Sequence, residues 1–133
     1  MTDQSMFDTW ARLLRPLFPF SAEISFKTRR RVICVSWVQD DELGRQNRER
    51  RSVVIAFSHL AWKGYRGARS ARRARADVNL LALVKSALAQ DGGEIEGAYD
   101  FPAGELRVQV ASIDLFPPPA GALQIAVQSF AGV

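Results

Sequence analysis

The fold is decided by residues 53–90, which read VVIAFSHLAWKGYRGARSARRARADVNLLALVKSALAQ. Val53, Ile55 and Phe57 alternate with other residues, and this period of two predicts a strand over residues 53–62 with one buried face. Beyond Gly64 and Gly67 the apolar residues recur every three or four positions, which predicts a helix over about residues 70–90. Its predicted buried stripe consists of Ala74, Val78, Leu81, Val84 and Leu88.

The residues before this stretch predict one helix and further strands. Residues 4–15 carry Phe7, Trp10, Leu13 and Leu14 at helical spacing, and Pro16 ends the pattern. Residues 24–38 are strand-forming but are interrupted by Arg29–Arg31. The interruption is either a tight turn between two strands or a bulge within one long strand. Residues 39–51 are polar and charged, which predicts a flexible loop that joins hairpin strands.

The residues after the helix return to strand patterns. Gly92 and Gly93 are a stop signal for the helix, and alternation predicts strands at residues 106–110 and 123–128. Short connections favour antiparallel pairing. The sequence therefore predicts a single α+β domain over residues 1–133, with two helices packed on one face of an antiparallel sheet of about four to five strands.

Charge is distributed very unevenly along the chain. The net charge of the whole is +4, but 14 of the 18 basic residues and only four acidic ones lie between Lys27 and Arg75. The densest run is residues 66–75, whose five arginines are Arg66, Arg69, Arg72, Arg73 and Arg75. Guanidinium groups bind phosphate or carboxylate at two points, so this run, the arginine cluster, suits multivalent anions.

The arginine cluster lies at the predicted start of the 70–90 helix, where positive charge is unfavourable. Helix N-termini carry partial positive charge and favour acids by about 0.3–1 kcal/mol. Asp77 offsets part of this by pairing with Arg73 at a spacing of four. A bound anion would reverse the effect, because free backbone N–H groups and guanidinium groups would then act together. Replacing Arg72 and Arg73 with glutamate is accordingly expected to leave stability unchanged or slightly higher.

Three interpretations of the arginine cluster remain open on sequence alone. It is a solvated charged face, a surface for nucleic acid or another polyanion, or a surface for an acidic protein. A self-associating version of the last pairs the basic middle with the acidic C-terminal part of another copy, as a weak homo-oligomer. The predicted binding face also takes in Arg29, Arg30 and Arg31, and it extends to Arg48–Arg51. Trp62 and Tyr65 adjoin the cluster and are expected to stack on bases or beneath arginines.

One motif resembles a known family. The order helix, strands, helix, with Gly67-Ala68-Arg69-Ser70 leading into a basic helix start, resembles the double-stranded-RNA-binding domain. In that family such a helix start grips phosphates across a groove, so the resemblance implies RNA binding by Arg72, Arg73 and Arg75. It covers about 25 residues and the element order. The Gly-Pro-x-His loop of the family is absent, and the C-terminal strands lie outside its pattern.

Other chemistry finds little support in the sequence. His59 is the single histidine, and on a strand Ser58 would point to the opposite face, so the two form no catalytic pair. One cysteine, Cys34, lies in an apolar run and is predicted to be a buried, inert thiol. We therefore expect a cytoplasmic binding module with no enzymatic activity, no cofactor, no metal and no membrane segment, whose partner is nucleic acid or an acidic protein surface.

Overall fold

The structure, a computed structural model, describes residues 1–39, 49–92, 94–95, 98–99 and 104–118. Its helices are α1 (Asp3–Leu14), α2 (His59–Gly67), α3 (Ser70–Gly92) and α4 (Ser112–Leu115). Its strands are β1 (Glu23–Lys27), β2 (Val32–Gln39), β3 (Glu49–Phe57), β4 (Glu94–Ile95), β5 (Ala98–Tyr99) and β6 (Gly104–Val110). The predicted strand at 123–128 and residues 40–48 of the predicted loop at 39–51 lie outside the described residues. The ends of that loop were predicted wrongly, because Gln39 belongs to β2 and residues 49–51 belong to β3.

The α+β class is confirmed, and the main sheet is mixed rather than wholly antiparallel. Its order is β1-β2-β3-β6, in which β1, β2 and β3 pair antiparallel and β6 pairs parallel to β3. Parallel neighbours require a long crossover, and α2 and α3 supply it between β3 and β6. Strands β4 and β5 form a separate two-stranded hairpin within that crossover.

The interruption at Arg29–Arg31 is a turn, so residues 24–38 form a hairpin and not one bulged strand. Thr28–Arg30 make a single 3-10 turn between β1 and β2. Arg31 follows in the left-handed region with φ 52, a conformation that few residues other than glycine adopt. Its backbone carbonyl accepts from the N–H of Phe57 at 3.0 Å, which ties the turn to the end of β3.

The strand predicted over 53–62 is too long, because β3 ends at Phe57 and α2 begins at His59. Ser58 is the N-cap, and its side chain accepts from the N–H of Ala61 at 3.1 Å. Ala61, Trp62 and Tyr65 follow at helical spacing and are buried. The alternation in Val53–Phe57 therefore gives way to a helical period at the capping serine, and His59 becomes an exposed helical residue.

Helix α3 buries a different face from the one predicted. The side chains turned to the core are Ala76, Leu80, Val84 and Leu88. Ala74 is exposed and Val78 is 67% exposed, so the first half of the predicted stripe is wrong, while Val84 and Leu88 are confirmed. This helix carries apolar residues around much of its circumference. Its orientation was therefore set by what packs against it, and periodicity alone does not identify that face.

The core lies between one face of the sheet and helices α1 and α3, as predicted. Helix α1 contributes Met6, Trp10 and Leu14 to it. The Trp10 ring stacks on Phe57 at a centroid distance of 4.3 Å and also meets Trp62 and Tyr65. Trp62 is 7% and Tyr65 1% exposed, so neither ring can stack on bases. The alternative expectation, that they pack beneath arginines, holds for Tyr65, whose ring centroid lies 5.9 Å from the guanidinium carbon of Arg73. Both are core residues that anchor α2.

Two remaining expectations concern Cys34 and membrane spans. Cys34 is half-buried on the side of the sheet away from the helices, so it is not the deeply buried thiol that the sequence predicted. Within the parts of the chain that the structure describes, every helix is too short or too polar to cross a membrane.

Candidate nucleic-acid interface

Four elements meet at one end of the main sheet, where β1 ends, β2 begins, and β3 and β6 end. We call it the hairpin end, because the Thr28–Arg30 turn lies there. Helix α2 starts there directly after β3, and α4 starts there directly after β6. The first third of α3 is also at this end, since Asn79 donates from Nδ2 to the carbonyl of Leu115 at 2.9 Å.

The hairpin turn presents free basic side chains. Lys27, Arg29 and Arg30 are all exposed. Together with Thr28 they line an open concavity of about 500 Å³. Arg31 has a different role, because its Nε donates to the carbonyl of Phe57 at 3.3 Å and so helps to hold the turn against β3. Arg29 and Arg30 are therefore the anion-binding candidates of this turn.

Arg73 joins α2 to α3. Its Nε donates to the carbonyl of Tyr65 at 3.0 Å and its Nη2 to that of Arg66 at 2.6 Å. These carbonyls belong to the last turn of α2, where partial negative charge favours a cation. From the sequence, Arg73 was an anion-binding residue and an unfavourable cation at the start of α3, partly offset by pairing with Asp77. In the structure Arg73 instead donates to α2, and Asp77 accepts from Tyr65. Because the negative end of α2 meets the positive end of α3, that arginine has a structural reason to be there.

Asp77 is engaged by Tyr65 beneath this junction. The Tyr65 hydroxyl donates to the Asp77 carboxylate at 2.7 Å. Burial raises the pKa of Asp77 above its ordinary value of 3.8, while the hydrogen bond from Tyr65 and the charge of Arg73 lower it in part. Burial, followed by the hydrogen bond to Asp77 and its charge, raises the pKa of Tyr65 well above 10.0. Both groups are therefore harder to ionise in the folded protein than in water.

Arg72 packs on an aromatic ring of the C-terminal part. Its guanidinium carbon lies 4.5 Å from the centroid of the Phe116 ring, which is a cation–π contact. The same ring closes on Gly64 of α2, where a Cβ atom would stand 3.1 Å from ring atom Cε2. Arg72 is exposed, so one side of its guanidinium group remains open to a ligand.

Arg66 carries a surface ion pair. Its Nη1 lies 3.5 Å from Oδ1 of Asp3, with the two side chains 55% and 33% exposed. The same carboxylate oxygen accepts from the indole N–H of Trp62 at 3.3 Å. Such an exposed pair contributes roughly 0–1 kcal/mol, so Arg66 can exchange Asp3 for another anion at little cost.

Arg69 and Arg75 are the uncommitted members of the arginine cluster. Both are exposed, and the contacts of the described residues show no side-chain partner for either. Arg69 directly precedes α3, and its carbonyl accepts from the N–H of Arg73 at 2.9 Å. Arg69 therefore lies next to the first free N–H groups of the helix, which favour anions.

The structure places two of the three basic clusters at the same end of the sheet. The hairpin turn and the arginine cluster both lie at the hairpin end. Arg50 and Arg51 lie at the opposite end of β3, about 20 Å away at ~3.3 Å per residue. Arg51 is also buried on the helix-covered face, and Arg48 lies outside the described residues. The predicted extension of the face to Arg48–Arg51 is therefore wrong for Arg50 and Arg51.

Two exposed residues of α2 were given no binding role from the sequence. His59 and Lys63 are exposed on α2, which starts at the hairpin end. The signal was available in Ser58, a capping residue followed by apolar residues at helical spacing. In the described ranges, acidic, histidine and cysteine side chains form no group of three or more that could hold a metal ion.

The chain is thus an α+β protein with a mixed four-stranded sheet and a basic hairpin end. No protein-family model, curated protein or solved structure matches it. Its function is inferred from its own residues.

Proposed function

We propose that this protein is a cytoplasmic, non-catalytic module that binds nucleic acid through its hairpin end. The phosphate ligands would be held by Arg29 and Arg30 on the turn and by Arg69 and Arg75 at the start of α3. Arg66 and Arg72 would assist from their surface contacts. Arg31 and Arg73 would support the face by fixing the turn and the α2–α3 junction.

One observation carries the proposal: exposed guanidinium groups from two elements far apart in sequence lie at the same end of the fold. A charged face that served solubility alone would have no reason to be gathered in this way. Clustering of guanidinium groups does favour multipoint contact with a regular phosphate backbone, because each neutralised phosphate adds to affinity through counterion release.

The element order supports the same class of ligand. Helix α1, the antiparallel meander β1-β2-β3 and a basic helix start follow the order of the double-stranded-RNA-binding domain. In that family the helix start grips phosphates. Helix α2 and the parallel strand β6 depart from its pattern, so the likeness supports phosphate contacts and leaves the choice between RNA and DNA to experiment.

The test is a titration of labelled RNA and DNA duplexes by fluorescence anisotropy. We expect binding at 50 mM salt to weaken by ~10³ or more at 200 mM, as six or more phosphate contacts require. R69E/R75E and R29E/R30E should each weaken binding strongly. Absence of binding at low salt would refute the proposal.

A matched control removes the effect of net charge. Arg12 and Lys85 are also exposed but lie towards the other ends of α1 and α3. R12E/K85E changes net charge as much as R69E/R75E does and should bind nearly as well as the original protein. Equal loss in both variants would mean that overall charge, and not the hairpin end, attracts the ligand.

A second candidate is an acidic protein partner, and one observation favours it. Leu60 of α2 is 68% exposed and Ile113 of α4 56% exposed. These helices pack together at the hairpin end, so apolar groups stand beside the arginines there, as a protein interface would use them. L60S/I113S should then abolish partner binding. The same variant should leave a purely electrostatic nucleic-acid complex unchanged.

A further inference from the structure

The aromatic ring of Phe116 contacts both α2 and α3. A Cβ atom on Gly64 of α2 would stand 3.1 Å from ring atom Cε2, so only a glycine lets α2 come this close. The guanidinium carbon of Arg72, on α3, lies 4.5 Å from the centroid of the same ring. The backbone N–H of Phe116 donates to the carbonyl of Ser112 at 2.8 Å, which fixes the residue to the end of α4. The ring is therefore a firmly held support for Arg72.

Arg72 is the middle member of a row of three arginines. Arg69, Arg72 and Arg75 follow at a spacing of three, which places them as neighbours along the start of α3. All three are exposed. The middle arginine contacts the Phe116 ring, whereas the contacts of the described residues show no side-chain partner for the two outer ones. The row therefore consists of one anchored guanidinium group between two free ones.

An anchored guanidinium group suits a flat ligand. The group is planar and has two faces, and Phe116 covers at most one of them. Nucleobases stack on guanidinium planes as they do on aromatic rings. Because the contact with the ring already restricts the rotamers of Arg72, less side-chain entropy is lost when a base binds to it. Trp62 and Tyr65 are buried and cannot provide such a surface.

Exposed apolar side chains lie near the same ring. Leu60 is four residues before Gly64 on α2, and Ile113 is three residues before Phe116 on α4, so each lies within one helical turn of a residue at the ring. Their side chains are 68% and 56% exposed. A site for phosphate alone gains nothing from apolar neighbours, whereas a base that leaves a duplex exposes apolar ring area that such neighbours cover.

We propose that one unpaired base of the bound nucleic acid stacks on Arg72, while Arg69 and Arg75 hold the phosphates on either side of that nucleotide. This inference rests on the proposed function and defines its ligand more closely, as a duplex that carries an unpaired nucleotide. The two outer arginines are about 9 Å apart along the helix, at ~1.5 Å per residue, and their long side chains can reach successive phosphates. Bases inside a duplex stack on each other, so only an unpaired base can reach Arg72.

The test compares three labelled duplexes, in RNA and in DNA form, by fluorescence anisotropy. One is fully paired, one carries a single unpaired adenine, and one carries an abasic nucleotide in place of that adenine. The abasic duplex keeps the bulged backbone and its phosphates, so it controls for bending of the duplex. We expect the protein to bind the adenine bulge at least about five-fold more tightly than either control at 50 mM salt. The preference should persist at 200 mM salt, where all three affinities are lower, because stacking releases no counterions.

Two matched variants assign the preference to one residue. R72K keeps the positive charge but loses the planar group, so it should lose the preference for the adenine bulge and still bind the paired duplex nearly as well as the original protein. R75K makes the same change at an arginine without a ring contact and should keep the preference.

The outcomes separate this inference from the proposed function. Failure of all three duplexes to bind at low salt would overturn both. If the original protein binds the adenine and abasic bulges equally, or if R72K and R75K lose the preference equally, the stacking role of Arg72 is wrong and the proposed function still stands.

Discussion

Removing the Arg73 side chain is expected to loosen the junction of α2 and α3. The guanidinium group makes two hydrogen bonds to carbonyls at the end of α2, at 3.0 Å to Tyr65 and 2.6 Å to Arg66. Hydrogen bonds to a charged group contribute about 1.5–3 kcal/mol each. Water partly replaces the second, which is exposed. We therefore expect R73A to lower the free energy of unfolding by about 2–4 kcal/mol.

Other substitutions at position 73 separate the contribution of the positive charge from that of the planar guanidinium group. R73K keeps the cation but loses the planar fork, so its loss should be about half that of R73A. R73E places an acid against the negative end of α2 and near Asp77 and should be the least stable of the three. The structure thus revises the sequence-based expectation that glutamate at this position is harmless.

The measurement is urea unfolding followed by tryptophan fluorescence, because Trp10 and Trp62 are both buried. For a chain of this size a loss of 2–4 kcal/mol lowers the melting temperature by about 6–20 °C. The matched control is R75A, which removes an exposed arginine two residues away and should change stability by less than about 0.5 kcal/mol. If R73A unfolds like R75A, the hydrogen bonds to α2 contribute nothing and the structural role of Arg73 is wrong.

Three further outcomes check the core and its buried polar pair. In calorimetry, L80A should lower the free energy of unfolding by about 2–5 kcal/mol, while V78A should lower it little. The reverse result would mean that α3 buries the face predicted from the sequence. Burial raises the pKa of Asp77 from 3.8, so the folded protein binds the proton of this group more tightly than the unfolded chain does. The stability that Asp77 contributes is fully present below pH 3.8 and is lost as the pH rises through its raised pKa. Over that pH range the melting temperature of the original protein should therefore fall relative to that of D77N. Y65F should lessen the alkaline loss of stability above pH 10, because the raised pKa of Tyr65 opposes its ionisation in the folded state. An unchanged alkaline transition would contradict that pKa.

Strong local signals in the sequence predicted several elements correctly. Helix α1 followed from its apolar spacing and from Pro16, and β6 from its alternation. The α+β class followed from the order of these patterns. The concentration of arginine at residues 66–75 was also visible, because it depends on composition alone.

Contacts between distant residues decided the rest. Ala76 and Leu80, rather than Ala74 and Val78, face the core because α2 and α4 pack on the start of α3. The parallel pairing of β6 depends on how the crossover returns, which no local pattern encodes. Arg73 differs from Arg75 because a helix end lies against one of them and not the other.

The sequence by itself determined which residues are basic, apolar or capping, since these properties belong to single residues and short spacings. Only the tertiary structure decided which of them meet. It set the hairpin turn and the arginine cluster at the same end of the sheet, placed Arg50 and Arg51 at the other end, and buried Trp62 and Tyr65. The physical reason is that packing at a site depends on the atoms that arrive there from elsewhere in the chain, and their positions follow from the whole fold.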